Sequence, residues 1–267
     1  MTFRVLVACE CSGRVRDAFA ALGWEAWSAD LLPSELHPEV TVWEYNGKLA
    51  RTHRRYDWQE QPPRVVVPGS HHYQGDCRDL FDPYHPVNGE RRLLHEAGTA
   101  PLWDLIIAHP PCDHLSLAGA RWWAQKRADG RQNAAAAFFM EMVSAPSPLV
   151  AVENPRGDMA RRYRRPDQVV EPFHFGDPYA KKTCLWLKGL PPLIPDNEVV
   201  PAGRVATGGG SWRTDKAAKL QAMNAYEDSE GRVNRARVRS RTFPGLARAM
   251  AEQWTPFAEE FYARDRN

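Results

Sequence analysis

In the stretch LIIAHPPCDH, residues 105–114, a cysteine is presented by two prolines. Proline fixes its own backbone and removes an amide donor, so Cys112 is held on a stiff loop whose position is closely set. A thiol so placed is either a small buried hydrophobe, as free cysteines commonly are, or a nucleophile. Farther on, LVAVENP at residues 149–155 carries Glu153 to the end of an apolar run. Poor solvation there is expected to raise its pKa and keep a proton on the carboxyl near neutrality. The plainer alternative is an Asn-Pro turn whose glutamate caps a helix or pairs with Arg156. A thiolate and a protonatable carboxylate on adjacent strand ends suit attack on a conjugated ring that turns electrophilic when its nitrogen is protonated or hydrogen-bonded.

These groups need elements to position them. Residues 3–9 (FRVLVAC) form a short apolar run closed by Glu10-Cys11-Ser12-Gly13, and residues 14–22 then repeat apolar side chains at helical spacing, which reads as strand, turn, helix. Residues 24–29 read as a second strand closed by Asp30, and Tyr73 to Asp76 as the end of a third. Residues 102–108 form a fourth run, apolar enough to be buried on both faces, and residues 149–152 a fifth, with an alanine-rich helix over 131–143 between them. Alternation of this kind predicts an α/β chain with a doubly wound sheet, whose ligands sit beyond the carboxyl ends of the strands. Glu10 to Gly13, Asp30, Asp76, Cys112 and Glu153 would then share one rim. Residues 35–68 and 195–241 fall outside the scheme.

Composition narrows the classes. The 267 residues are 43% hydrophobic and 25% charged, an ordinary globular balance that excludes a fibre or a disordered tail. Five cysteines are an odd, scattered set, which points to a reducing compartment. No run approaches the ~20 apolar residues of a membrane helix and the N-terminus lacks signal-peptide regions, so the expectation is a cytoplasmic protein with no membrane contact. Cys9, Cys11, His71, His72 and Cys77 do not have the spacing of a closed zinc site, and Cys112 has no partner three residues on, as a zinc-dependent deaminase would require.

Taken together the motifs resemble the C5-cytosine DNA methyltransferases, especially the short forms of bacteriophages and prophages. VLVACECSGRVRDAF stands at the family's first cofactor loop, DLIIAHPPCDHLSLAG at its nucleophile loop and VAVENPRG at its glutamate motif. FGDPYAKKTCLWLKGLP and RSRTFPGLARAMAEQW are similar to its later motifs, in the family's order. The resemblance implies a Rossmann-like S-adenosylmethionine-dependent sheet with a small irregular recognition segment. It implies that a cytosine is flipped out of DNA, that Cys112 adds to its C6, and that Glu153 stabilises the protonated N3. Carbon 5 then takes the methyl of S-adenosyl-L-methionine, and loss of the C5 proton and of the thiolate releases 5-methylcytosine. It assigns the cofactor to Cys9, Glu10, Ser12, Gly13, Asp30, Leu31, Asp76, Cys77, Pro110, Ser240 and Thr242, with Asp30 at the ribose and Asp76 at the adenine amino group. Lys181 fills the place of one family arginine, and Thr183 with its neighbour Lys182 serves for the other; Lys181, Lys182 and Arg156 are expected to draw the thiol pKa down.

The net charge is only +2, so any DNA-facing surface must be local. Residues 201–241 hold nine basic against four acidic side chains. Further basic islands lie at Arg51, Arg54 and Arg55 and at Arg161, Arg162, Arg164 and Arg165. They are either phosphate contacts or solvated faces. On the first reading Asn154, Arg156, Arg204, Trp212, Arg213, Arg235 and Arg237 meet DNA. The expected division is a catalytic domain over 1–194 with an insertion at 35–68, a recognition segment over 195–238, and a C-terminal return over 239–267, the whole acting as a monomer. Two rival readings keep the fold: the same chemistry on a free cytidine nucleotide or with a modified cofactor, and a non-catalytic DNA-binding protein.

Overall fold

The computed structural model describes residues 2–32, 34, 44–45, 48–49, 65–67, 71–82, 84–87, 90–93, 102–202, 204–208, 211–215, 217–218, 221 and 241–264. Its centre is an eight-stranded sheet. In chain order the strands are β1 (Arg4–Ala8), β2 (Glu25–Asp30), β3 (Val65–Val67), β4 (His72–Gln74), β5 (Leu105–Ala108), β6 (Leu149–Pro155), β7 (Gln168–Val170) and β8 (Thr183–Lys188). Across the sheet they run β7-β8-β6-β5-β1-β2-β4-β3. The five from β6 to β4 are parallel, while β8 lies antiparallel to both of its neighbours and β3 antiparallel to β4. The strand order reverses between β1 and β5, which opens a crevice at their carboxyl ends.

The apolar runs have the composition of strands covered on both faces, and their side chains part by parity. Val5, Val7, Leu105, Ile107, Leu149 and Ala151 face one cluster with Val15, Phe19, Met250 and Trp254. That cluster is closed by helices α1 (Arg14–Ala20) and, at the far end of the chain, Pro244–Arg264. Leu6, Ala8, Ile106, Ala108, Val150 and Val152 face the other cluster with Phe139, Met142 and Trp186. There the cover is Arg131–Val143, preceded by α2 (Trp123–Ala128), so these helices are α3 and, after α4 (Met159–Arg162), the C-terminal one is α5. The three most deeply buried indoles are satisfied: Trp103 donates to the Leu80 carbonyl at 2.7 Å, Trp186 to that of Arg164 at 2.9 Å and Trp254 to that of Pro191 at 3.1 Å.

The five strands and the helices expected from the sequence are present, and the doubly wound α/β class holds. One boundary differs. Residues 35–68 do not all lie outside the scheme, because Val65–Val67 adds the edge strand of the main sheet. Three-valine runs are strong strand formers, and the antiparallel return to β4 uses only a short connection. Among the described residues no helix is long and apolar enough to cross a membrane.

Candidate active site

The Cys112 loop leaves β5 with the His109 amide still donating to the Ala8 carbonyl at 2.9 Å, so the first residue of the loop is fixed by the sheet. Asn154, almost wholly buried, reaches across from β6 and donates its side-chain amide to the Pro110 carbonyl at 2.7 Å. The Cys112 carbonyl then accepts from the amides of Leu115 and Ser116 at 3.0 and 2.9 Å. Leu115 and Ser116 are in turn laced to the segment after Glu153. Asp158 donates to the Leu115 carbonyl at 2.8 Å, and Ser116 bridges Gly157, where an added Cβ would meet the Leu115 oxygen at 2.0 Å. The cysteine and glutamate motifs are therefore one mechanical unit.

Glu153 lies at the end of β6 with its side chain 14% exposed, and Oε2 is 3.2 Å from Nδ1 of His109. Burial pushes this carboxyl up, but the His109 hydrogen bond and the Lys181 charge outweigh it, and the pKa lies below the ordinary carboxylate value. That corrects the expectation of a carboxyl protonated near neutrality: the apolar strand was legible, the cations that oppose it were not. Cys112 shows the converse correction. Burial first, then the charges of Asp113 and Glu153, push its thiol up to about 11, and Lys181 pulls the other way without prevailing. The resting pair is a neutral thiol beside an ionised carboxylate.

Lys181 reaches this rim because β8 starts opposite the end of β6, with Thr183 paired to Pro155 and Cys184 to Asn154. Its ammonium lies 5.7 Å from the centre of the Phe243 ring, which ties the return of the chain to the same place. Lys182 is exposed. Arg156 is also exposed, and its charge acts on Cys184, where burial nonetheless pushes the thiol up to about 11.

The other half of the rim is built differently. Cys9 adopts φ 60° and Gly13 φ 73°, a sharp turn into α1. Inside it Glu10 is buried, and its carboxylate accepts from the amides of Val15 at 2.8 Å and Arg16 at 3.3 Å and from the Ser12 hydroxyl at 3.1 Å. Glu10 and Ser12 thus cap the helix, where a strand-end acid takes up unpaired amides. Asp30 is half-buried and accepts from the Leu32 amide at 2.8 Å. The carbonyls of Leu31 and Leu32 are held by the Gln74 amide at 3.3 Å and the His72 ring at 3.1 Å, and His72 is bound through Ser28 to Arg16. Asp76 caps the turn of helix at Cys77–Phe81 and grips Arg78, whose guanidinium also holds Glu141. Cys77 is buried with its Sγ 3.9 Å from that of Cys9. Thr242 is buried, and its carbonyl accepts from Arg14 at 3.2 Å, so this part of the last motif meets the first loop.

The structure thus brings Cys112, Glu153, Asn154, Pro110 and Lys181 together, and Cys9, Glu10, Ser12, Gly13, Asp30, Leu31, Asp76, Cys77 and Thr242 along the neighbouring strand ends. Asn154 is turned into the protein, where it fixes the Cys112 loop. Arg204 and the pair Trp212 and Arg213 lie on opposite strands of a hairpin, Arg204–Gly208 with Ser211–Thr214. Arg235, Arg237 and Ser240 lie outside the described residues. The sequence reading missed His109, although its place immediately before the two prolines was visible.

No protein-family model matches the chain, and no curated protein does. One similar solved structure is a prophage-encoded protein of E. coli, provisionally assigned as a DNA modification methyltransferase. It is 14% identical over 70% of this chain and 46% of its own, with a TM-score of 0.37. The present chain therefore spans less than half the length of that neighbour. The fold of this protein rests on its own strand order, not on that likeness.

Proposed function

We propose that the protein is an S-adenosylmethionine-dependent methyltransferase acting on carbon 5 of cytosine in DNA through a covalent bond from Cys112. The observation that carries this reading is the union of two motifs: Asn154 and Gly157 bind the cysteine loop to the glutamate strand, so a thiol and a carboxylate lie within electrostatic reach of each other. Their resting protonation states are complementary. As sulfur bonds to C6 of the base, the S–H bond breaks, an electron pair moves toward C5, and N3 gains a proton. The proton that the neutral thiol gives up equals the one that N3 takes, and the ionised Glu153 favours it there. No net charge needs to enter the pocket.

The first rim has features that fit the cofactor. A tight turn at Cys9 to Gly13, a half-buried Asp30 carboxylate and the Thr242 segment enclose one strand-end region, and Asp30 has the chemistry for ribose hydroxyls. Asp76 is engaged by Arg78, so contact with an adenine amino group would share that carboxylate. When bound, S-adenosylmethionine supplies an electrophilic methyl group. Arg156 and Lys182, next in the chain to Pro155 and Lys181, are exposed and suit phosphate contact.

The decisive experiment uses a DNA duplex whose target cytosine carries fluorine at C5. Fluorine cannot leave as the C5 proton does, so the wild type is expected to stay bonded to the strand when the cofactor is present, and Cys112→Ser is not. Labelled cofactor with ordinary duplex should mark the DNA. No label and no trapped strand, with Cys112→Ser equal to wild type, would overturn the proposal. Label on free cytidine nucleotide and none on duplex would move the substrate.

A further inference from the structure

His109 sits between β5 and the two prolines with only 8% of its side chain exposed. Its Nδ1 lies 3.2 Å from Oε2 of Glu153, while its Nε2 is buried with no partner among the described residues. A carboxylate can only accept, so Nδ1 carries the proton in that contact and, in the neutral ring, Nε2 is a bare acceptor. Buried acceptors are rarely left dry, and one beside a nucleophile loop marks the place of a donor on a ligand.

We propose that His109 is a positioning and specificity residue: it locks the Glu153 carboxylate by Oε2 and, with its own Nε2, makes the base pocket an array of acceptors that selects a ring bearing an amino group over one bearing a carbonyl. The proposal rests on the cytosine reading and deepens it. Cytosine differs from uracil and thymine at position 4, where an amino group donates and a carbonyl accepts. With Oε2 occupied, Oε1 of Glu153 remains for the base. A carbonyl at position 4 would set lone pairs against lone pairs in a desolvated site, and sites of that kind reject the wrong partner far more strongly than a gap would. The charged and titratable groups around the pair are Lys181 at the start of β8 and Cys112 and Asp113 on the nucleophile loop.

Two readouts separate this from a structural role. In protein labelled with ¹³C at glutamate carboxyls, Glu153 is expected to titrate below an ordinary glutamate in the wild type and to move up in His109→Ala. It should return in His109→Asn, whose amide restores a donor near Nδ1. The same carboxyl titration in His109→Ala and wild type overturns the lock. The second readout is methyl transfer to paired duplexes carrying cytosine or uracil at one site. His109→Ala should lose roughly 10- to 100-fold on cytosine, the worth of a charge-assisted hydrogen bond, and should narrow the cytosine-to-uracil ratio. His109→Asn should recover rate but not the ratio, because it has no Nε2. An unchanged ratio in both variants overturns the specificity role. A wild type that shows the carboxyl shift but methylates neither duplex overturns the cytosine reading and the specificity with it, while the lock stands.

Discussion

The two halves of the rim hold acidic residues in the same kind of place and use them differently. On the β1, β2 and β4 side, Glu10, Asp30 and Asp76 are each bound by their own neighbours: the amides of α1, the Leu32 amide and the Arg78 guanidinium. On the β5 and β6 side, Glu153 is met by residues from other segments, His109 before the Cys112 loop and Lys181 before β8. Locally satisfied acids shape a turn. An acid held from a distance has a protonation state that the whole fold sets, which is what a reacting group needs. The contrast extends to backbone, since the turn at Cys9 and Gly13 is made by backbone conformation and the loop at Cys112 by a side chain, Asn154, reaching from the next strand.

The largest effect that can sharpen this contrast is the pH dependence of Cys112. A thiol pushed up to about 11 by burial and nearby carboxylates is neutral at pH 7. Its reactive fraction therefore rises about tenfold with each unit of pH until that value is approached. Alkylation of Cys112 by iodoacetamide in the free protein, followed by peptide mass, should climb by about two decades from pH 7 to pH 9 with no plateau. A plateau near pH 7 would mean that cations, not burial, govern the site. Lys181→Gln removes a group that pulls the pKa down, so it should slow alkylation at every pH in that range.

Next in size is the mechanical link. Asn154→Ala strips the donor from the Pro110 carbonyl in a buried setting, which costs about 1–3 kcal/mol of stability and frees the loop that carries the thiol. Denaturant melting and trapping on fluorinated duplex should both register it. If melting falls and trapping persists at the wild-type rate, the prolines alone set the cysteine.

Much of this was legible in the amino-acid sequence because strand burial leaves a strong trace. LVAV and LIIA can hardly be anything but strands covered on both faces, and two prolines before Cys112 announce a shaped loop. The protonation states were not legible. The sequence shows Glu153 at the end of an apolar run, and burial alone raises a carboxyl. The opposing groups, His109 and Lys181, are 44 residues before it along the chain in one case and just ahead of a separate strand in the other, and only the β6–β8 register and the β5–β6 pairing bring them close. Glu10 was misleading for the reverse reason. An acid at a strand end reads as a ligand-facing group, yet the free amides at the start of a helix compete for it within six residues.

Asp76 gives the smallest and most discriminating test of the contrast. Its carboxylate caps Arg78's amide at 3.0 Å and pairs with a guanidinium that is 41% exposed, so solvent screens the pair. Exposed pairs of this kind contribute about 0–1 kcal/mol. Asp76→Asn should keep the cap, since an asparagine oxygen accepts equally well from the Arg78 amide, and lose only the ion pair. Melting should shift by less than about 1 kcal/mol and should become less sensitive to added salt, because one of the charges that salt screens is gone. A drop several times larger would show that Asp76 is held by more of the fold than Arg78, and that this side of the rim is set from a distance as Glu153 is. In that event the difference between the two halves would lie in the positive groups, imidazole and ammonium on one side and guanidinium on the other, and not in how far apart along the chain their partners stand.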